Sequence, residues 1–267
     1  MSKSLVQQQF GANAASYATS RVHAKGASLG RLVELVAPDK CWRALDVATG
    51  AGHTAAAFAP HVASVIASDI TDEMLVEAGK LAARQGFAHM TTAKADAEAL
   101  PFEDASFELV TCRIAPHHFP DIPAFLAEVW RVLKPGGTFA LVDNVAPDAS
   151  STPGFGKVEL RDAAIAYNAF EKLRDPSHGR AWTTAEWMKL ASDTGFEIRH
   201  RELMPKAMEF ESWCLNMSVA PETAARLRAM LEGATLALAA FLKPSREGDA
   251  LGFTLLELVL IGRKPGS

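Results

Sequence analysis

Asp46, Asp69 and Asp96 lie at the ends of three successive short apolar runs. The first run leads straight into a small, glycine-containing stretch, Asp46-Val47-Ala48-Thr49-Gly50-Ala51-Gly52-His53-Thr54. A strand feeding a tight glycine turn and then a helix is a nucleotide-type site, because glycine lets the backbone approach a ligand at the sheet edge. Gly50-x-Gly52-x-x-Ala55 also satisfies the dinucleotide fingerprint, so the turn alone does not choose the ligand. Asp46 narrows the choice. A carboxylate at the base of the turn would repel a pyrophosphate but suits an amino-acid ammonium group. The competing reading is that Asp46 only ties down loop amides.

Asp69 falls about 20 residues past the glycines, where an acid accepts both hydroxyls of a ribose. Ile70 and Met74 follow it as an apolar wall for an adenine ring, or else as core side chains at a helix start. In Ala95-Asp96-Ala97, Asp96 is placed to accept from an exocyclic amine, with an N-cap or turn role as the alternative. Three acids at three strand ends form a cluster that points to an adenosine bearing an amino-acid tail. The run Cys112-Arg113-Ile114-Ala115-Pro116-His117-His118-Phe119 leaves a fourth apolar run toward the reacting end of such a ligand. There the backbone of Arg113 is a cofactor contact, and His118, ahead of His117, is the candidate proton acceptor, since imidazole titrates near neutrality.

These residues need a parallel sheet to converge. Between Trp42 and Asn144, apolar runs at 44–48, 62–68, 90–95, 107–112 and 138–143 alternate with helical patterns near 53–59, 72–85 and 121–133. Ile122, Phe125, Leu126, Val129 and Leu133 mark one helix face, which stops at the breaker Lys134-Pro135-Gly136-Gly137. Residues 1–40 read as an N-terminal helical lid segment, 41–146 as the Rossmann-like core, 147–250 as a helical cap with one core strand at 196–203, and 251–267 as a final core strand and tail. The apolar stretch Ala234–Leu242 is most simply a helix buried against the cap, with a dimer interface as the sharper reading, so monomer and homodimer both stay open.

Bulk composition fits this. The 267 residues are 49% hydrophobic and 22% charged, with a formal net charge of -4. The sequence pI near 6.1 argues against a nucleic-acid footprint. No apolar stretch is long enough to span a bilayer, and the N-terminus does not read as a secretory signal, so a cytoplasmic location is expected. Cys41, Cys112 and Cys214 are far apart and are expected to be reduced thiols; no metal site is expected from the scattered histidines.

The ordered set Leu45-Asp46-x-x-x-Gly50-x-Gly52, Asp69 with Met74, Asp96-Ala97 before Leu100-Pro101-Phe102, Phe107-Glu108-Leu109-Val110 and Arg131-Val132-Leu133-Lys134-Pro135-Gly136-Gly137 resembles the class I S-adenosylmethionine-dependent methyltransferases. More narrowly it is similar to the type 11 group, which includes ubiquinone and menaquinone biosynthesis enzymes. The resemblance implies an α/β, Rossmann-like seven-stranded, mostly parallel sheet with helices on both faces and an antiparallel last strand. It implies that Asp46 and the Gly50–Gly52 turn hold the methionine part of S-adenosylmethionine, Asp69 the ribose and Asp96-Ala97 the adenine, with S-adenosylhomocysteine as product. The acceptor implied is a small molecule. Tyr17 and Arg21 of the first segment are expected to close over the methionine carboxylate, and Arg174 with His178 to meet a polar acceptor. An NAD-dependent oxidoreductase is the main rival, though Tyr167 has Glu171 rather than a lysine four residues on. A protein that only binds S-adenosylmethionine or S-adenosylhomocysteine is the other.

Overall fold

The computed structural model describes residues 3–19 and 26–266, with 12–19 described by their backbone. The chain divides into two compact units.

The first unit comprises Met1–Asp143, Met188–Glu202 and Val259–Ser267. It opens with helices α1 (Lys3–Thr19) and α2 (Ala27–Val36), then β1 (Arg43–Val47), α3 (His53–Phe58) and β2 (Ser64–Asp69). Next come α4 (Asp72–Gln85), β3 (Met90–Lys94), β4 (Phe107–Arg113), α5 (Ile122–Val132) and β5 (Leu133–Asn144). The strands pair in parallel, β1 with β2 and β4, β2 with β3, and β4 with β5. Their side chains are apolar on both faces (Leu45, Val47, Leu109, Val110 and Phe139 to Val142 are buried) as a sheet covered by helices requires. The full order is β3-β2-β1-β4-β5-β8-β6, where β6 is Glu197–Glu209 and β8 is Ala250–Arg263. The first unit holds these last two through residues 197–202 and 259–263. Asp121 starts α5, its Oδ1 accepting from the Ala124 amide at 2.9 Å, and Phe125, Leu126 and Val129 bury its inner face. Phe139 of β5 meets Phe125 and Phe196, with ring centroids 6.0 and 5.4 Å apart.

The expected breaker at Lys134-Pro135-Gly136-Gly137 lies inside β5 rather than before it. Phe107 pairs with Leu133 but Leu109 with Thr138, so five residues of β5 face two of β4 and the excess is taken up as a bulge. Strand β6 likewise runs to Glu209, past the expected end at 203.

The second unit comprises Asn144–Trp187 and Leu203–Leu258. It holds α6 (Lys157–Arg174), the start of α7 (Thr184–Thr194), and α8 (Phe210–Leu215), α9 (Pro221–Glu232) and α10 (Leu236–Leu242). A short strand β7 (Ser245–Glu247), absent from the sequence reading, pairs antiparallel with β8. Tyr167 and Phe170 of α6, Leu227 and Leu231 of α9, and Leu238 and Phe241 of α10 share one core with Phe253 and Leu255. Of the 234–242 stretch, Ala237, Leu238, Phe241 and Leu242 are therefore buried inside the unit, as the simpler reading expected. Trp213 keys this core: it stacks on Phe170 with centroids 4.8 Å apart and packs edge-on to Phe253 at 5.0 Å. Among the described residues, no helix is long and apolar enough to cross a membrane.

Removing the Trp213 ring deletes both contacts and leaves a large void. Trp213→Ala is expected to cost about 3–5 kcal/mol, measured as a fall in the urea midpoint of unfolding.

Candidate active site

The C-terminal ends of β1, β2, β3 and β4 in the first unit line a cleft of about 1020 Å³, solvent mouth included. This is the edge at which parallel α/β sheets bind ligands. Residues 48–51 form one wall, Asp69 to Thr71 with Met74 a second, Ala95 to Glu98 a third, and Arg113 to Ala115 a fourth.

Asp46 stands beneath this cleft, not in its wall. It is buried, and its Oδ2 accepts from the Thr49 hydroxyl at 2.5 Å and the Ala55 amide at 3.1 Å. Its Oδ1 accepts from the Thr111 hydroxyl of β4 at 2.6 Å. Burial pushes its pKa up to about 6, against the pull of those hydrogen bonds and of the nearby Arg113 charge. The carboxylate thus ties down the turn, a role that is compatible with the one expected of it toward the methionine part. Gly52 has a similar role: at φ +87 it starts α3, and a Cβ there would lie 2.9 Å from Ala78 Cβ and 3.0 Å from Met90 Cε. Gly50, at φ +54 with open space around it, lines the cleft.

Asp69 is in the wall. Its Oδ2 accepts from the Gly50 amide and its Oδ1 from the Thr71 amide, both at 2.9 Å. Burial raises its pKa, while these two amides oppose the rise. Ile70, Met74 and Ala97 complete an apolar surface beside it, and Met74 is buried. Asp96 also lines the cleft, with Oδ1 accepting from the Glu98 amide at 3.1 Å. Its Oδ2 meets Lys3 Nζ of α1 at 2.5 Å, and the same ammonium lies 2.7 Å from Glu98 Oε2. The sequence reading missed Lys3, because α1 carries no apolar face that would have marked it as packed.

Arg113 lines the cleft, and its Nε donates to Oγ1 of Thr54, another lining residue, at 3.0 Å. His118 lines the cleft, its ring edge-on to Phe10 of α1 at 5.0 Å. His117 does not line it. It is buried behind, with Nδ1 2.6 Å from Oδ1 of the fully buried Asp143 at the end of β5. Asp143 was also missed, although it ends its apolar run just as Asp46 and Asp69 end theirs.

Arg174 and His178 belong to the second unit. Arg174 lies over the Trp213 ring at 4.5 Å and donates through Nε to the Trp213 carbonyl at 3.0 Å. His178 is buried, with Nε2 2.9 Å from Asn168 Oδ1. Both are engaged by the second unit's own packing. Arg21 and the side chain of Tyr17 lie outside the described residues. Among the described residues no three His, Cys, Asp or Glu side chains are grouped to hold a metal ion.

Residues 45–141 match the family model of the methyltransferase domain. The uncharacterized methyltransferase YcgJ of Bacillus subtilis (strain 168) is 36% identical over 204 residues, 76% of either chain. The chain belongs to the S-adenosylmethionine-dependent methyltransferases. A crystal structure from Bacillus halodurans C-125 superposes with a TM-score of 0.81 at 36% identity, covering 90% of this chain and 100% of that one. The demethylmenaquinone methyltransferase of Deinococcus radiodurans is 36% identical over 172 residues, 60% of this chain and 70% of its own. Membership in this family displaces the oxidoreductase that Gly50-x-Gly52-x-x-Ala55 had allowed. The matched span contains Asp46, Asp69 and Asp96 and begins well after Lys3 and Phe10.

Two expectations follow for the turn. A buried acid with a raised folded pKa stabilises the fold most when protonated, so the Asp46 contribution is lost as pH rises from about 4 to about 6. Asp46→Asn should flatten that slope, measured as urea-unfolding free energy against pH for both proteins. Gly52→Ala should cost about 2–4 kcal/mol, combining left-handed backbone strain with overpacking, while Gly50→Ala should cost only about 1 kcal/mol for the backbone. Thermal unfolding of the two variants side by side checks this.

Proposed function

We propose that this methyltransferase binds S-adenosylmethionine in the cleft at the ends of β1–β4 and methylates a small-molecule acceptor. The observation that carries the reading is the convergence of Asp69, Asp96, an apolar Ile70–Met74 surface and the Arg113 guanidinium on one cleft. Those groups match the parts of the cofactor in order. Asp69, held in place by the Gly50 and Thr71 amides, accepts from the ribose hydroxyls. Asp96 accepts from the adenine amine, with Ala97, Ile70 and Met74 around the ring. Arg113, fixed by Thr54, attracts the methionine carboxylate, and the Asp46-anchored turn carries the backbone against the methionine part.

When bound, the cofactor supplies an activated sulfonium methyl, whose C–S bond breaks as a nucleophilic oxygen, carbon or nitrogen of the acceptor bonds to the carbon, leaving S-adenosylhomocysteine. The chain contributes positioning and exclusion of water, so strong acid–base machinery is optional. His118 is the group in the cleft wall able to accept an acceptor proton, and Phe10 and Phe119 make the same wall apolar. An apolar acceptor with an ionisable hydroxyl fits that wall. On this reading residues 1–40 serve as the lid, 41–146 as the cofactor-binding core and 147–250 as the part that selects the acceptor.

Calorimetric titration with S-adenosylmethionine, S-adenosylhomocysteine and NAD in parallel tests it. Micromolar binding of the first two and none of NAD is expected, and Asp69→Ala should weaken S-adenosylhomocysteine at least tenfold, about 1.4 kcal/mol. Binding of NAD alone would overturn the cofactor assignment, and an unchanged affinity in the variant would overturn the ribose role.

A further inference from the structure

Helix α1 lies across the cleft on three contacts. Lys3 Nζ pairs with Asp96 Oδ2 and Glu98 Oε2, at 2.5 and 2.7 Å. One turn on, Gln7 Nε2 donates to the Ile70 carbonyl at 2.9 Å. Another turn on, Phe10 meets His118. The spacing 3, 7, 10 puts all three on one helix face, over the adenine side, the end of β2 and the histidine wall respectively. None of the described side chains of α1 is fully buried, and the helix also packs along α4, where Gly11 comes close to the Glu73 side chain. Partial burial lowers the Lys3 pKa, but the two carboxylates more than offset it and hold the ammonium charged.

We propose that Lys3 is a built-in competitor for the adenine edge of the cofactor site, so that cofactor entry exchanges the Lys3 ion pairs for the adenine amine and α1 reseats. This rests on the cofactor reading above. Both Asp96 oxygens already accept a donor, Oδ1 from the Glu98 amide and Oδ2 from Lys3. The exocyclic amine of adenine is also a donor, and although each carboxylate oxygen keeps a second lone pair, the Lys3 ammonium occupies the approach to Asp96 Oδ2 and neutralises its charge, so the two groups contend for one edge. The ion pairs are partly exposed, with side chains 38%, 31% and 11% accessible, a setting in which such pairs are weak enough to be given up. Displacing Lys3 restores negative charge at Asp96 and Glu98. That charge favours the cationic sulfonium ligand over its neutral product analogue, so the exchange also biases the site toward the methyl donor. It further makes the seating of α1 depend on which ligand is present. Lys3 thereby sets cofactor affinity without being a cofactor ligand.

The test is calorimetric titration of the full chain, as wild type, Lys3→Met and Lys3→Arg, with S-adenosylhomocysteine and S-adenosylmethionine at low and high sodium chloride. Lys3→Met is expected to tighten S-adenosylhomocysteine by about 3- to 10-fold at low salt, and S-adenosylmethionine by more. Lys3→Arg keeps the ion pairs and should stay near wild type. Raising the salt screens the pairs, so wild type should approach the Lys3→Met affinity for S-adenosylhomocysteine. Weaker binding by Lys3→Met would make Lys3 a direct cofactor contact, and equal binding a bystander; either overturns the proposal. Absence of S-adenosylhomocysteine binding by all three proteins would instead overturn the cofactor reading itself, and this inference with it. Unfolding midpoints of the three proteins confirm that the comparison is between equally folded chains.

Discussion

A buried carboxylate is costly unless its lone pairs are filled. Asp46 meets that constraint by joining four pieces of the first unit: its own strand β1, the Thr49 hydroxyl in the turn, the Ala55 amide in α3 and the Thr111 hydroxyl in β4. The same bonds that satisfy the acid fix the path of the turn. Because Thr49 is drawn down onto Asp46, Gly50 is carried to the position where its amide reaches Asp69 across at the end of β2. One buried acid therefore orients a second, which lines the cleft. The burial that raises the Asp46 pKa to about 6 shows how far the fold has gone to keep this anchor dry.

From that anchor the charges of the cleft fall into balance. Asp69 is held by amides, Asp96 and Glu98 by Lys3, and the Asp46 charge is offset by Arg113. Each acid is thus pre-positioned by donors of the chain. Amide donors are fixed by the backbone, whereas the Lys3 ammonium rides on a flexible stem and a helix with no buried described side chain. One half of the site is built by the sheet and its turn, and the other by α1.

Much of this could be read from the residues. Doubly apolar runs such as Phe139 to Val142 announce a covered parallel sheet, and acids at their ends announce the edge where chemistry sits. Asp69, Met74 and Asp96 stand where that reasoning put them. What escaped it was set by long-range packing. Lys134-Pro135-Gly136-Gly137 carries every local mark of a breaker, yet the register against Leu109 makes it a bulge within β5. That Asp46 also reaches the Thr111 hydroxyl of β4 could not be read from the turn, since Thr111 is distant in sequence. The partners of Arg174 and His178, the Trp213 carbonyl 39 residues on and Asn168 ten residues back, could not be read locally either. Lys3 could not be seen at all, since an ion pair to Asp96 leaves no periodic trace.

The adjacent histidines show how the same logic divides labour between identical side chains. The 2.6 Å contact between His117 Nδ1 and Asp143 Oδ1 ties that ring to the end of β5. Its neighbour His118 sits with ring centroids 4.2 Å away, tilted by 46°, and is the one presented to the cleft. The buried acid at the end of β5 thus supports the cleft-lining ring at one remove, as Asp46 supports Asp69 through the turn. Phe10 of α1 meets His118 while Lys3 of the same helix meets Asp96. One helix thus touches both the Asp96 side and the His118 side of the cleft.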